Sequence, residues 1–216
     1  MILFEIEDQK DNQSVLKEIA KHLSAGEVAA IPTETFYALA ANPFYEESVK
    51  RIFSLKGRSA QKPILLLVAN REEVSKLSVN PPSVFELLAH SFWPGPLTLI
   101  LKSSKRIPDW IHRGTGKIAL RIPGNPLTRR ILKYCSFPLI GTSANRSGAP
   151  PLTTDEDVLH DFGPLLDLLV MGGALPGGPP STLLDITEET PILLREGRIK
   201  KEEIERILEQ KVIIKI

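Results

Sequence analysis

The chain has 216 residues, of which 42% are hydrophobic and 25% are charged, a balance typical of globular proteins. Its one cysteine, Cys135, excludes an internal disulfide and favours a reducing compartment. The first residues, MILFEIEDQKDN, lack a basic leader, and the longest apolar run, at 64–69, is too short to cross a bilayer. We therefore expect a cytoplasmic protein with no membrane association.

Charge is distributed unevenly along the chain, although the formal net charge is only +1. Residues 50–146 contain 17 Lys and Arg against 4 Asp and Glu, whereas the remainder contains 10 against 22. This asymmetry predicts that the middle of the chain supplies an anion-binding surface. The alternative is that the two populations interleave in space and cancel.

Hydrophobic periodicity and turn residues predict alternating strands and helices. In chain order they predict a short edge strand at 3–6, a helix at 14–25, a strand at 27–31, a helix at 46–56, a strand at 63–69, a short helix capped by Asn70 with Glu73 and a helix at 83–92. Strands at 97–102 and 117–122 follow, then a helix at 126–134, a strand at 139–142, a helix capped by Thr153 with Glu156, strands at 166–171 and 192–195, and a helix at 201–210. The alternation indicates an α/β or α+β layered domain.

Several familiar signatures are missing from the sequence. It has no phosphate-binding loop ending in Lys-Ser/Thr and no dinucleotide fingerprint, because the glycines of GGALPGGPP (172–180) have no lysine after them. That segment is expected to be a lid or a surface loop. The four His residues are scattered, which argues against structural zinc, and Cys135 is expected to serve in packing.

The segment PTETFYAL (32–39) follows a predicted strand, at the end where α/β sheets tend to bind ligands. Thr33, Thr35 and Tyr37 alternate, so in an extended chain their hydroxyls face one side and could orient a small polar substrate. The alternative is a threonine-rich strand end that bonds its own backbone.

The segment KGRSAQK (56–62) places Lys56, Arg58 and Lys62 around Gly57, a predicted helix-ending turn. Three cations on a turn suit a triphosphate, since Arg offers a planar fork and Lys a point charge. The alternative is that these cations only complement a helix C-terminus.

Hydroxyls and an amide follow another predicted strand in TSANRSG (142–148), where Ser143 and Asn145 could bind phosphate oxygens or a hydrated metal; a plain Asn turn is the alternative. Arg121 and Arg195 end predicted strands, where surface ion pairs are the ordinary outcome. WPGPLT (93–98) predicts a rigid corner that delivers Thr98. With no clear nucleophile or His base, this inventory favours positioning and charge stabilisation of a phosphate-transfer step.

These segments resemble the YrdC-type threonylcarbamoyl-AMP synthase family. The matching pieces, in the family's order, are PTETFYAL, KGRSAQKPI, FWPGPLTLIL, RIP, TSANRSG, STLLD and LLREG, spread over about residues 20–200. The resemblance implies a twisted mixed α/β sheet flanked by helices, with a basic cleft. It also implies one domain over 1–216, without the extra C-terminal domain of longer relatives.

The resemblance further implies the reaction. Threonine, bicarbonate and ATP with Mg²⁺ would give threonylcarbamoyl-adenylate and pyrophosphate, and a threonylcarbamoyl transferase complex would then modify adenosine 37 of tRNA. Lys56 and Arg58 would be catalytic, and no protein side chain would bind the metal directly. The residues expected to bind ATP are Lys56, Arg58, Lys62, Ser143, Asn145 and Arg195. Those expected around threonine are Thr33, Thr35, Tyr37, Arg121 and Ser181.

The match has departures, and other readings stay open. Ala38 stands where many members have Gly, which could alter the approach of the backbone there. One rival is a non-catalytic RNA-binding protein of the same fold, whose basic middle grips phosphates. Another is a paralogue that adenylates a different carbamate. The sequence leaves the oligomeric state open.

Overall fold

The computed structural model describes residues 1–6, 12–57 and 64–215. Their strands are β1 (Ile2–Glu5), β2 (Ala29–Pro32), β3 (Tyr37–Ala40), β4 (Leu65–Leu67), β5 (Leu97–Lys102), β6 (Lys117–Arg121), β7 (Leu139–Ile140), β8 (Thr142–Ser143), β9 (Leu168–Met171), β10 (Thr182–Asp185), β11 (Ile192–Arg195) and β12 (Ile213–Ile214). Their α-helices are α1 (Gln13–Ser24), α2 (Glu46–Lys56), α3 (Arg71–Leu77), α4 (Val84–Phe92), α5 (Asp109–His112), α6 (Pro126–Cys135), α7 (Asp155–Phe162) and α8 (Lys201–Leu208). The predicted α/β class is confirmed, with two mixed sheets in place of the single sheet expected.

The chain divides into two compact units, each built from two stretches of sequence. The first comprises Met1–Lys62 and Asn125–Gly177, and the second comprises Pro63–Gly124 and Gly178–Ile216. The prediction of a single YrdC-like domain over the whole chain stays a prediction. In the part of the chain that the structure describes, no helix has the length and apolar character needed to span a membrane.

A five-stranded mixed sheet lies in the first unit, in the order β1-β9-β2-β3-β8. Strand β9 runs parallel to both β1 and β2, whereas β3 runs antiparallel to β2 and to β8. Helix α1 contacts α6 and buries Leu16, Ile19, Ala20 and Leu23. This spacing of three and four residues is what brings apolar side chains to one face of a helix, so the predicted stripe is confirmed.

The strands of the second unit lie in the order β12-β11-β10-β5-β6-β4. Strand β5 runs antiparallel to β6 and parallel to β10, and five of its six residues are buried. Burial of successive residues requires cover on both faces of the sheet, which explains why four of the five residues of LTLIL are aliphatic. Helix α4 contacts α8 in this unit.

Some local predictions are wrong. Strands β3 and β10 were not predicted, and the strand expected at 139–142 is broken into β7 and β8. The cap of α7 is one residue later than expected, because Thr154 rather than Thr153 accepts a hydrogen bond, at 3.1 Å from the Asp157 main-chain nitrogen. At α3, the Asn70 side chain accepts a hydrogen bond from the Glu73 nitrogen, as predicted. The Glu73 carboxylate accepts from the Ala69 nitrogen, one residue before the cap, so the two residues do not form a reciprocal capping box.

Candidate functional site

Helix α2 delivers Lys56 to the segment that follows β8. The helix ends at Lys56, and Gly57 follows it with a φ of 58°, in the left-handed region that favours glycine, so the predicted helix end is confirmed. The buried Lys56 Nζ lies 2.5 Å from the Ser143 main-chain oxygen. It lies 3.1 Å from the main-chain oxygen of Asn145 and 2.9 Å from Oδ1 of the same residue. An ammonium has three donors, and here they meet three oxygen acceptors.

The Asn145 side chain organises the turn that Lys56 holds. Its Oδ1 also accepts from Ser143 Oγ at 2.6 Å, and its Nδ2 donates to the main-chain oxygen of Ala149 at 2.6 Å. The Ser147 nitrogen donates back to the Lys56 main-chain oxygen at 2.7 Å. Three residues predicted to bind ATP, Lys56, Ser143 and Asn145, are therefore in direct contact. Arg58 and Lys62 lie outside the described residues.

Residues 33–36 form a tight turn between β2 and β3, so the expectation of an extended chain there is wrong. The Thr33 nitrogen donates to the Phe36 oxygen at 3.1 Å, and Thr33 Oγ1 donates to the same oxygen at 2.7 Å. Thr33 Oγ1 also accepts from the Thr35 nitrogen at 3.3 Å and lies 3.3 Å from Thr35 Oγ1. The two buried hydroxyls are thus adjacent, and that of Thr33 bonds its own backbone, as the alternative interpretation expected.

Tyr37 begins β3, and its side chain is completely buried. Its hydroxyl donates to Asp155 Oδ1 and accepts from the Gly172 nitrogen at 2.8 Å. Burial, followed by the hydrogen bond and charge of Asp155, raises the pKa of Tyr37 far above its ordinary value. The phenol therefore stays protonated at physiological pH. Sequence reasoning missed Asp155, because an acid in the first turn of a helix is usually explained by the helix dipole.

A second polar cluster lies in the second unit around Ser181. Arg195 Nε donates to the Ser181 main-chain oxygen at 3.0 Å, and Arg195 Nη2 lies 3.1 Å from Ser181 Oγ. Thr98 Oγ1 lies 3.0 Å from the same hydroxyl. Strands β5 and β10 pair in parallel, with Thr182 opposite Leu97. This register brings Thr98, which follows Leu97, close to Ser181, which precedes Thr182. Thr98, which sequence analysis assigned only to a corner, belongs to this cluster.

Arg121 ends β6 in the same unit and is buried. Its Nε donates to the Gly95 oxygen at 3.1 Å, and the Gly95 nitrogen donates to the Ile122 oxygen at 2.9 Å. These two hydrogen bonds fasten the corner WPGPLT to the end of β6, where Arg121 lies.

The described side chains offer oxygen and nitrogen donors but no dedicated metal cage. Among residues 1–6, 12–57 and 64–215, no group of three or more His, Cys, Asp or Glu is arranged to hold a metal ion. Asn145 Oδ1 is already shared by Lys56 and Ser143, so it does not fit direct ligation of Mg²⁺.

Relatives of known name match most of the chain. A threonylcarbamoyl-AMP synthase of Pyrococcus abyssi is 39% identical over 88% of this chain and 56% of its own length. A threonylcarbamoyl-AMP synthase of Bacillus subtilis is 35% identical over 91% of this chain and 57% of its own length. The chain therefore spans a little over half the length of these two relatives.

The fold has a solved counterpart at similar identity. The crystal structure of Pyrococcus abyssi Sua5 complexed with L-threonine matches with a TM-score of 0.92 and 35% identity, covering 98% of this chain and 62% of that one. The sequence profile named for Sua5, YciO and YrdC, with the description "Telomere recombination", matches residues 21–197. The family predicted from the sequence is confirmed, and the chain belongs to the Sua5/YciO/YrdC family.

Proposed function

We propose that this protein is an L-threonylcarbamoyladenylate synthase, a nucleotidyltransferase that joins threonine, bicarbonate and ATP. The observation that carries the proposal is the contact of Lys56 with Ser143 and Asn145. The lysine side chain is brought to residues 87 and 89 positions further along the chain, which carry the hydroxyl and amide expected at the nucleotide phosphates. The named relatives, including one solved with L-threonine, support the same reading.

The reaction needs placement and charge stabilisation more than covalent catalysis. The threonine amine attacks the carbon of bicarbonate, from which water is lost, or of CO₂, with release of the amine proton, and either route gives a carbamate. A carbamate oxygen then attacks the α-phosphorus of ATP as the bond to the bridging oxygen breaks, and pyrophosphate leaves. Fixed cations and dipoles lower the energy of the charge that develops on the departing oxygen.

We assign the residues of the first unit to both substrates. Lys56, Ser143 and Asn145 form a polarised turn for the nucleotide phosphates, and Arg58 and Lys62 follow Lys56 along the chain. We assign the adjacent hydroxyls of Thr33 and Thr35 to the binding of threonine. Tyr37, which we had expected to face the substrate, contributes through its buried contact with Asp155.

We assign the residues of the second unit in the same way. Arg195 is matched to the nucleotide, and Arg121 and Ser181 are matched to threonine. Because Arg195 contacts Ser181 directly, a substitution at either residue should shift the side chain of the other. Both substrates would therefore respond to substitutions in this cluster.

Mg²⁺ enters this proposal as part of the substrate MgATP. The cation keeps most of its ligands as water and phosphate oxygens in such complexes, which suits a site with few available side-chain ligands. The product would pass to a threonylcarbamoyl transferase complex that modifies adenosine 37 of tRNA, and this assigns the protein to the cytoplasm.

A substrate-omission assay tests the proposal. Purified protein is incubated with ATP, Mg²⁺, threonine and bicarbonate, and pyrophosphate release is measured with each component left out in turn. We expect release only with the complete mixture. Release with another amino acid in place of threonine would favour a paralogue, and salt-sensitive RNA binding without any turnover would favour a non-catalytic RNA-binding protein.

A further inference from the structure

The glycine pair that begins the segment 172–177 is held by one buried carboxylate. The Gly173 nitrogen donates to Asp155 Oδ2 at 2.8 Å, and the Gly172 nitrogen lies 3.2 Å from Asp155 Oδ1. The Tyr37 hydroxyl donates to that Oδ1 as well, so the carboxylate collects three donors. A carboxylate that accepts several hydrogen bonds is a strong and directional anchor for a loop.

Two features of its position make Asp155 a firm anchor for the segment. It is the first residue of α7, so the helix fixes its backbone. It is also 95% buried, since its exposed fraction is 5%, so water does not compete for its oxygens. Each hydrogen bond is consequently worth more than it would be on the surface.

The segment 172–177 then runs along the turn that carries the two threonines. Gly172 lies against Pro32, because an added Cβ would fall 2.6 Å from the proline Cβ. Further on, the Leu175 nitrogen donates to the Thr153 oxygen at 2.8 Å, and the Gly177 nitrogen donates to the Thr35 oxygen at 2.9 Å. The segment is fixed at its start by Asp155 and at its end by the backbone of Thr35.

We propose that Asp155 and Tyr37 are positioning residues that fasten the segment 172–177 and, through it, set the Thr33–Thr35 turn for its small-molecule substrate. The part that concerns the substrate depends on the proposed function, since it takes threonine to be the molecule at that turn. The segment is thus fixed at both ends, whereas its glycine content predicts either a lid or a surface loop.

The two partners make unequal contributions. Asp155→Asn keeps the size of the side chain but offers one acceptor oxygen where there were two, and its NH₂ group faces donors. Tyr37→Phe removes only the hydroxyl, and both glycine nitrogens keep an oxygen of Asp155. The asparagine variant should therefore loosen the segment more than the phenylalanine variant.

Amide hydrogen exchange of the full chain, without any substrate, tests the anchoring. We expect exchange across 172–177 to accelerate at least about tenfold in Asp155→Asn and by a smaller factor in Tyr37→Phe. Asp157→Asn is the matched control, because Asp157 is an exposed acid in the same helical turn. Equal exchange in wild type and both test variants would overturn the proposal.

Amide exchange across a second segment, the buried strand β5, shows whether a variant has lost structure globally. If exchange also rises across the buried strand β5, Asp155→Asn has destabilised the whole protein, and Tyr37→Phe then decides the question. Accelerated exchange confined to 172–177 in that milder variant supports the anchor, and unchanged exchange there overturns it.

Calorimetric titration with threonine tests the part of the proposal that concerns the substrate. We expect the variants to raise the Kd for threonine by about threefold to tenfold, with kcat at saturating threonine changed by less than about twofold, as for lost uniform binding. Unchanged affinity beside accelerated exchange would overturn the link to the substrate. Wild type that binds no threonine would instead count against the proposed function, and the exchange result would still decide on the anchor.

Discussion

The side-chain ammonium of Lys56 contacts both oxygens of Asn145, at 3.1 Å from the main-chain oxygen and 2.9 Å from Oδ1. This contact makes Lys56 part of the architecture of the site as well as a source of charge. An exposed lysine ordinarily packs its methylene stem on the protein surface and keeps its ammonium in water. Under the proposed function, the fold of the 143–149 turn and the binding of the nucleotide would therefore be coupled.

Lys56→Ala should impair both stability and turnover. We expect pyrophosphate release to fall at least about 100-fold, because the substitution removes a fixed positive charge and the support of the 143–149 turn together. We also expect the free energy of unfolding to fall by about 1–3 kcal/mol, because part-buried carbonyl groups lose their partner.

Lys50→Ala is the matched control for this change. Lys50 lies on the same helix, is exposed and pairs only with the neighbouring Glu46 and Glu47 among the ion pairs described. Surface pairs of this kind contribute little, so both quantities should stay close to wild type. Wild-type turnover by Lys56→Ala would contradict the assignment of Lys56 to the site.

Thr33→Val should raise the KM for threonine and loosen the turn at 33–36. The hydroxyl bonds the Phe36 oxygen at 2.7 Å, and its loss should cost about 1 kcal/mol of stability. Thr33→Ser keeps the hydroxyl and should restore most of the threonine affinity. If valine leaves the KM unchanged, Thr33 does not contact threonine.

Gly197→Ala should displace Ser181. An added Cβ at Gly197 would fall 2.1 Å from the Pro180 oxygen and 2.7 Å from the Ser181 carbonyl carbon, both of which are backbone atoms. We expect a loss of stability of at least about 1–3 kcal/mol, as for overpacked sites, together with weaker threonine binding. Differential scanning calorimetry and titration measure the two effects.

Gly163→Ala serves as the comparison for that substitution. An added Cβ at Gly163 would meet only a flexible methionine end at 3.7 Å, an ordinary contact distance. Its stability should stay near wild type. Equal stability of the two alanine variants would mean that the backbone around Ser181 has room for an added methyl group.

Asp185 should make the protein sensitive to acid. Burial alone would raise the pKa of Asp185, but hydrogen bonds from Lys117 and Thr187 and the charge of Lys117 outweigh it and lower that pKa. The unfolded chain then binds the proton more readily, so the stabilisation is present above the unfolded pKa, near 3.8, and is lost as pH falls through the lower folded value.

Urea unfolding of wild type and Asp185→Asn between pH 7 and pH 3 checks this expectation. At pH 7 the variant should be less stable by about 1–3 kcal/mol, and its stability should fall less steeply below pH 4. Asp109→Asn, at a side chain that is 94% exposed, should follow the wild-type curve. Parallel curves for wild type and Asp185→Asn would contradict the role of Asp185.

Local signals in the sequence predicted most helices, because each has an apolar stripe and a recognisable end. Helix α2 is predicted from its spacing of Val49 and Ile52 and from Gly57, and its bounds are confirmed. The cap of α7 is ambiguous in sequence, since both Thr153 and Thr154 have an acid three residues later. Only a contact with the segment 172–177 distinguishes them, because the Thr153 main-chain oxygen accepts a hydrogen bond from the Leu175 nitrogen.

Features that depend on distant partners could not be predicted. Strand β3 is four residues of YALA, and its pairing with β2 requires the tight turn formed by Thr33 and Phe36. The burial of Lys56 depends on oxygens almost 90 residues away. Asp155 has the sequence context of a helix start, and nothing local to it indicates its contacts with Tyr37 and the glycine pair.

Mass spectrometry of the product formed from ¹³C-bicarbonate tests the central claim most directly. Purified protein is incubated with MgATP, threonine and the labelled bicarbonate, and adenylate products are separated and weighed. We predict an AMP adduct that contains threonine and one ¹³C atom and disappears when threonine is omitted. An adduct without the label, or no adduct from folded protein with all substrates present, would contradict the account.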